Sequence, residues 1–203
     1  MPEASEQQSK REANVHKIEP YSRWRSFYEV ERDGRSPFYG STLMEGLDNH
    51  VYNYQLHPAW DYFGSSTLYM KVLYTNYIRR TVVIELIGEW NDAIQNDIMF
   101  LKRDVLEPLM AEGIHRFVLI GENVLNYHAS EYDDYYAEWY EEVMEEDGWI
   151  AAINFREHVR DEMSSIGITD YFLMNGTVIE WRTYTPEKFI TLMDGVVTRR
   201  LGA

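Results

Sequence analysis

The sequence predicts an α/β domain with a mixed, largely parallel sheet flanked by helices and preceded by antiparallel N-terminal strands. Three observations carry this. Apolar residues recur with a period of two in the first third of the chain, buried-type strands alternate with helical stripes over residues 81–195, and the opening 18 residues are polar and charge-balanced. With 203 residues, 45% of them hydrophobic and 15% aromatic, the chain suits one domain with a substantial core.

Residues 1–18 read as a disordered tail, and residues 19–203 as a single domain. Its antiparallel part spans about 21–80. There Tyr52, Tyr54 and Leu56 alternate with Asn53, Gln55 and His57, and Leu68, Met70, Val72 and Tyr74 repeat the pattern, so each run reads as a strand with one apolar face. The β/α part begins with a nearly continuous apolar run at 82–87. Ile94, Ile98, Leu101, Val105 and Leu109 then form a helical stripe ending near Gly113, which Pro108 should bend or split in its last turn. A strand at 116–120 follows, then a helix from Glu131, a strand at 149–155 and a helix carrying His158, Val159, Met163 and Ile166. Short strands at 171–174 and 178–181 precede a last helix opened by Thr185-Pro186, a capping residue with proline at the first helical position.

The charge is unevenly spread. Residues 117–155 hold no Lys or Arg but ten Asp or Glu, against a net charge of −15 for the whole chain. Within that stretch Tyr132, Tyr135, Tyr136, Trp139, Tyr140, Val143 and Met144 recur at spacings of three and four, an aromatic stripe on one helix face. The remainder of the helix is acidic, with Glu138, Glu141, Glu142 and Glu145 on the outer side. Such a balance disfavours nucleic acid and anionic membrane surfaces and favours a protein partner with a basic surface, bound cations or plain solubility. No Cys is present, which removes disulfides, thiolate metal sites and cysteine nucleophiles. The absence of an apolar leader or a span of about 20 apolar residues makes a cytoplasmic location the expectation.

A local repetition marks a candidate site. Leu86-Ile87-Gly88-Glu89 and Leu119-Ile120-Gly121-Glu122 each close a buried strand, and each is followed by Asn within two residues. If the strands are parallel, Glu89, Asn91, Asp92, Glu122 and Asn123 emerge at one carboxyl edge, joined by Asn154, Arg156 and Glu157 from the next strand, where α/β sheets bind ligands. Glu89, Asp92 and Glu122 would make an oxygen-rich set for Mg²⁺ or Ca²⁺, or an acid and base pair. The competing reading is structural: Gly ends strands, and Asp92 is a natural helix cap. His128, in the loop at 126–130, is placed to act as a base near that edge, with Ser130 as a cap or nucleophile. His158 and Glu162 stand four apart, but no third ligand at a convincing spacing joins them.

With these elements placed, residues 81–195 resemble STAS domains, the family that includes anti-sigma factor antagonists. The resemblance lies in Val83-Ile84-Glu85-Leu86-Ile87-Gly88-Glu89, in Arg116-Phe117-Val118-Leu119-Ile120, and in Ile150-Ala151-Ala152-Ile153-Asn154 followed by a helix and Ser165-Ile166-Gly167-Ile168. It implies a non-enzymatic regulatory module that binds a protein partner, in some members controlled by phosphorylation of a Ser after the second buried strand. The family's Asp-Ser-x-Gly signature is absent, and only Ser130 could stand in, beside Glu131, Asp133 and Asp134, which would repel a phosphate.

Two functional expectations follow. The leading one is a non-catalytic cytoplasmic regulatory or protein-interaction module using the acidic helix surface, with no cofactor. The other is a divalent-metal-dependent hydrolase or small-ligand-binding protein using the carboxylates at the sheet's carboxyl edge, with Mg²⁺ or Ca²⁺.

Overall fold

The computed structural model describes residues 17–42, 50–52, 54–130, 134–174 and 176–201. The expected tail lies almost wholly outside them. Two sheets form. A small one orders as β1 (Lys17–Ile18), β3 (Tyr54–Leu56) and β2 (His50–Val51), with β1 parallel and β2 antiparallel to β3.

The main sheet has five strands in sequential order: β4 (Leu68–Asn76), β5 (Thr81–Asn91), β6 (Arg116–His128), β7 (Trp149–Ile153) and β8 (Leu173–Met174). β4 runs antiparallel to β5, and β5 to β8 are mutually parallel. The α/β class with a mixed, mostly parallel sheet is therefore the observed one. Parallel strands covered on both faces need apolar side chains on both, and Val82, Val83, Ile84, Leu86, Phe117, Val118, Leu119 and Ile120 are all buried.

Helices α1 (Asp97–Leu101) and α2 (Glu107–Ala111) are joined by a π turn over Lys102–Leu106, and α3 (Tyr135–Glu145) and α4 (Glu157–Ser165) complete that layer. α5 (Pro186–Leu201) covers the opposite face. The π turn has a local cause. Pro108 lacks the N–H for an i→i−4 bond and its ring crowds the carbonyl one turn back, so the helix widens before it, and the Glu107 N–H reaches Lys102 O. The expected split at Pro108 takes this form.

Among the described residues the core has three parts. Ile84, Leu86, Trp90, Leu119 and Tyr127 of the sheet meet Ile98, Leu101, Val105, Tyr136, Trp139 and Val159 in the helix-side core. Val83, Val118, Ile120 and Ala151 meet Trp24, Trp181, Phe189, Ile190 and Met193 on the other face. Trp60, packed with Val51, Leu56, Tyr69 and Ile87, seats the small sheet. No helix among the described residues is long and apolar enough to cross a membrane.

Three expectations need correction. Tyr52 and Tyr54 point outward, 54% and 46% exposed, because the run is broken at Tyr52 by a left-handed turn (φ 52°) and only Leu56 of the three is buried. Residues 178–181 form no strand and enter a 3-10 turn at Trp181–Thr183. Neither Gly-Glu pair closes a strand: β5 continues to Asn91 and β6 to His128. Both glycines instead allow close approach. Gly88 has φ +124°, and a Cβ there would stand 2.1 Å from Thr67 O, beside a register shift in the β5–β6 ladder. At Gly121 a Cβ would lie 2.4 Å from the Phe155 ring.

Gly88→Ala should therefore lower the unfolding free energy by about 2–5 kcal/mol, from backbone strain plus overpacking. Gly34→Ala, with nothing within 4 Å of the new carbon, should change it far less in the same denaturant titration.

Candidate functional site

At the carboxyl end of β5 the chain turns into the segment that starts α1, and this turn is organised by carboxylates. Asp92 is 4% exposed and accepts four hydrogen bonds: from Tyr136 Oη at 2.7 Å, Ile98 N at 2.9 Å, Tyr127 Oη at 3.1 Å and Trp90 Nε1 at 3.2 Å. Burial pushes its pKa up, and the four donors pull against that. The expected capping role is met indirectly, since the Ile98 amide lies in the first turn of α1 while the cap position itself is Asn96 in the left-handed region. Neighbouring Asp97 accepts from Asn91 N at 2.7 Å and Thr67 Oγ1 at 3.1 Å, and the Asn91 side chain accepts from Ile94 N at 3.0 Å.

Glu122 serves the opposite core. It accepts from Trp181 Nε1 at 2.6 Å and Asn154 Nδ2 at 2.9 Å and pairs with Arg182. Arg182 also reaches Glu85 Oε1 at 3.2 Å, and the other Glu85 oxygen accepts the Tyr21 amide at 2.8 Å. Asn154, itself at φ 56°, exchanges two bonds with the Ile179 backbone, of 2.8 and 2.9 Å. Arg156 Nε lies 3.4 Å from Glu122 O, and His158 Nε2 lies 2.8 Å from Leu125 O.

The expected oxygen cluster is thus divided by the sheet. Asp92 is bound into the helix-side core and Glu122 into the α5-side one, while Glu89 is half-buried with its amide on Thr67 O at 2.9 Å. Among the described residues no group of three or more His, Asp or Glu is placed to hold a metal ion. Asn123 lines a cavity of about 330 Å³ with Ile18, Val51, Tyr54 and Ile87. His128 is exposed, and its carbonyl accepts the amides of Asp92 and Ala93 at 2.9 and 3.2 Å; Glu157 is exposed in the first turn of α4.

The acidic helix is formed, and its aromatic stripe packs inward as expected. Tyr136, Trp139 and Val143 are buried, Tyr135 and Tyr140 half-buried, and Met144 is 40% exposed; Tyr132 lies outside the described residues. Its outer face is less unpaired than its composition implies. Lys102, in the π turn, has a side chain only 4% exposed and contacts Glu107 at 2.9 Å, Glu142 at 3.2 Å and Glu138 at 3.3 Å. Burial opposes charge on Lys102, but the three carboxylates outweigh it and hold the ammonium above the ordinary lysine range. Glu146 pairs with Arg80 at 2.8 Å. Glu141 and Glu145 remain exposed, with no ion-pair partner within 4.0 Å among the described residues.

Lys102, Glu85 and Arg182 were not anticipated from the sequence. Glu85 did leave a signal, as the single charge inside the apolar run at 82–87, and such a residue must find a partner.

No protein-family model and no curated protein matches this chain. Among solved structures, it is similar to the crystal structure of a Thermotoga maritima protein assigned as an anti-sigma factor antagonist. That similarity has a TM-score of 0.38 and 15% identity, and it covers 54% of this chain and 86% of the other.

Glu85 sets a pH dependence. Burial pushes its pKa up to about 7 from 4.5, and the charge of Glu122 adds to this, against the Tyr21 amide and Arg182. A raised carboxylate pKa means the fold favours the protonated form, so this residue's contribution is complete below about pH 4.5 and is lost as pH rises through about 7. Between pH 4.5 and 8 the unfolding free energy of the native chain should fall by about 3 kcal/mol relative to Glu85→Gln. Parallel pH curves for the two proteins would show that Glu85 keeps ordinary acidity.

Proposed function

We propose that this chain is a non-catalytic, cytoplasmic regulatory or protein-interaction module whose partner-facing surface is the outer face of α3. The observation that carries the reading is the division of labour among its carboxylates. Asp92, Glu122 and Glu85 are consumed by internal hydrogen bonds and ion pairs, whereas Glu141 and Glu145 stand exposed one turn apart on α3. Like charges at that spacing repel and cost the helix a few tenths of a kcal/mol, a cost that a basic partner would remove. Glu138 and Glu142, each half-engaged by Lys102, widen the same negative surface.

The aromatic stripe supports this reading structurally. By anchoring α3 through Tyr136, Trp139 and Val143 it holds the acidic face on a rigid element, so complementary charges meet a preformed surface. A partner with clustered Lys or Arg fits it. Affinity of that kind falls with added salt, because exposed charges are screened beyond about 8 Å at physiological ionic strength.

Titration of a fluorescent oligolysine at low salt tests the surface. Charge reversal of Glu141 and Glu145 to Lys should weaken binding roughly tenfold or more, while reversal of the exposed Asp161 and Glu162 on α4, an equal change in net charge, should weaken it only slightly. Equal losses in the two double variants would mean that the peptide responds to net charge alone and that α3 is no docking face.

A further inference from the structure

A cavity of about 330 Å³ lies where the small sheet rests on the carboxyl half of β5 and β6. The small sheet contributes Ile18, Val51 and Tyr54, the main sheet contributes Ile87 and Leu125, and Asn123 and Arg156 complete the lining. The volume falls at the low end of the range for small-molecule sites, about 300–1,000 Å³. The helix layer, with the acidic face of α3, packs on the opposite side of the main sheet and has no part in it.

Asn123 reaches this face through a β-bulge. In the β5–β6 ladder Glu85 is paired with Ile120 and Ile87 with Asn123, so two steps along β5 match three along β6. Unbroken pairing would have set Glu122 beside Ile87. The extra residue puts Asn123 there instead, while Glu122 turns to Trp181 and Arg182. The bulge thus exchanges a carboxylate for an amide at the cavity wall.

Two sets of donors are left unused at this wall. Arg156, the residue before α4, lies over the bulged stretch with its Nε 3.4 Å from Glu122 O, and its two terminal nitrogens have no hydrogen-bond or ion-pair partner among the described residues. The half-buried side-chain amide of Asn123 is likewise unpartnered among the described residues, and it is not sealed from solvent. A solvated arginine at a surface is ordinary. A guanidinium and an amide at the mouth of an apolar cavity form a site with one polar end.

The donors decide what fits. A guanidinium presents paired N–H groups in a planar fork that matches the two oxygens of a carboxylate. None of the described residues lining the cavity is acidic, so an organic cation would meet only repulsion and a metal ion would find no carboxylate ligand. A dianion such as a phosphate ester is disfavoured, because a single guanidinium would answer it in a chain of net charge −15.

We propose that this cavity binds a small monocarboxylic acid with an apolar body, its carboxylate held by the Arg156 guanidinium and the Asn123 amide and its chain or ring covered by Ile18, Val51, Ile87 and Leu125. Burial of the apolar body supplies affinity, and the fork selects the charged end. The site does not depend on the docking face of α3, and either can fail without the other.

Calorimetric titration of the full chain with octanoate and 4-phenylbutyrate, and with 4-phenylbutanol as the uncharged control, tests this. Saturable one-to-one binding is expected for at least one acid, with the alcohol at least about tenfold weaker. Arg156→Gln should weaken the acid by at least about tenfold, which corresponds to about 1.4 kcal/mol. Arg103→Gln, an equal change in net charge at an exposed position on the helix side, should leave the affinity unchanged. Arg156 is exposed and makes one long contact, so its variant keeps the fold, which an unchanged thermal midpoint checks. Absence of saturable binding by both acids up to ~10 mM, acid binding that survives Arg156→Gln intact, or equal losses in the two arginine variants overturns the proposal.

Discussion

The carboxylate of Asp92 is the tie on which the helix-side half of the molecule depends. Its four donors come from four different places: Trp90 at the end of β5, Ile98 in α1, Tyr127 near the end of β6 and Tyr136 in α3. A carboxylate is the side chain suited to accept from so many at once, since it offers about four lone-pair sites. Trp90 also stacks on Tyr136, with ring centroids 6.2 Å apart, so apolar packing and hydrogen bonding fix the same ring. The rotation of α3 about its axis follows from this. With Tyr136, Trp139 and Val143 turned inward, helical spacing turns Glu138, Glu141, Glu142 and Glu145 outward, and the acidic surface is a consequence of the buried anchor.

The other face repeats the strategy with different partners. Glu85 and Glu122, on adjacent parallel strands, share Arg182, and Glu85 adds the Tyr21 amide, so one ion-paired group joins the sheet to the residues leading into α5 and to the N-terminal segment. Lys102 plays the matching part outside the helix layer, where the π turn forced by Pro108 brings a nearly buried ammonium to carboxylates of both α2 and α3. In each of these places a buried charge is answered by several opposite or hydrogen-bonding groups, as burial demands. Asp61 Oδ2, Glu31 Oε2 and Asp97 Oδ1 depart from this rule, buried without a hydrogen-bond partner among the described residues.

Much of the architecture is legible in the sequence because burial imposes periodicity. The run at 82–87, the stripe through Ile98, Leu101 and Val105, and the aromatic spacing from Tyr135 to Met144 each match the elements formed. Strand ends were less legible. Gly121 looks like a terminator but serves the approach of Phe155, and β6 runs on through Glu122 and Asn123 to His128. The partners of Asp92 and Glu122 could not be read either, because which carboxylate meets which donor depends on strand register and on the face each residue takes, and a shift of one residue reverses that face. Tyr52 and Tyr54 show the same limit: their alternation is real, but a left-handed turn at Tyr52 breaks the face they would have shared. The α/β class with a mixed, largely parallel sheet is the one the sequence predicts, while the candidate metal set of Glu89, Asp92 and Glu122 is separated across the sheet.

The central claim, that Asp92 holds α3 against the sheet through Tyr136, is open to a direct test. A double-mutant cycle of unfolding free energies over the native chain, Asp92→Ala, Tyr136→Phe and the double variant isolates their interaction. The account predicts a coupling of about 1–3 kcal/mol, since a hydrogen bond to a buried charged group is lost only once in the double variant. Additive effects, within about 0.3 kcal/mol, would contradict it and leave α3 held by aromatic packing alone.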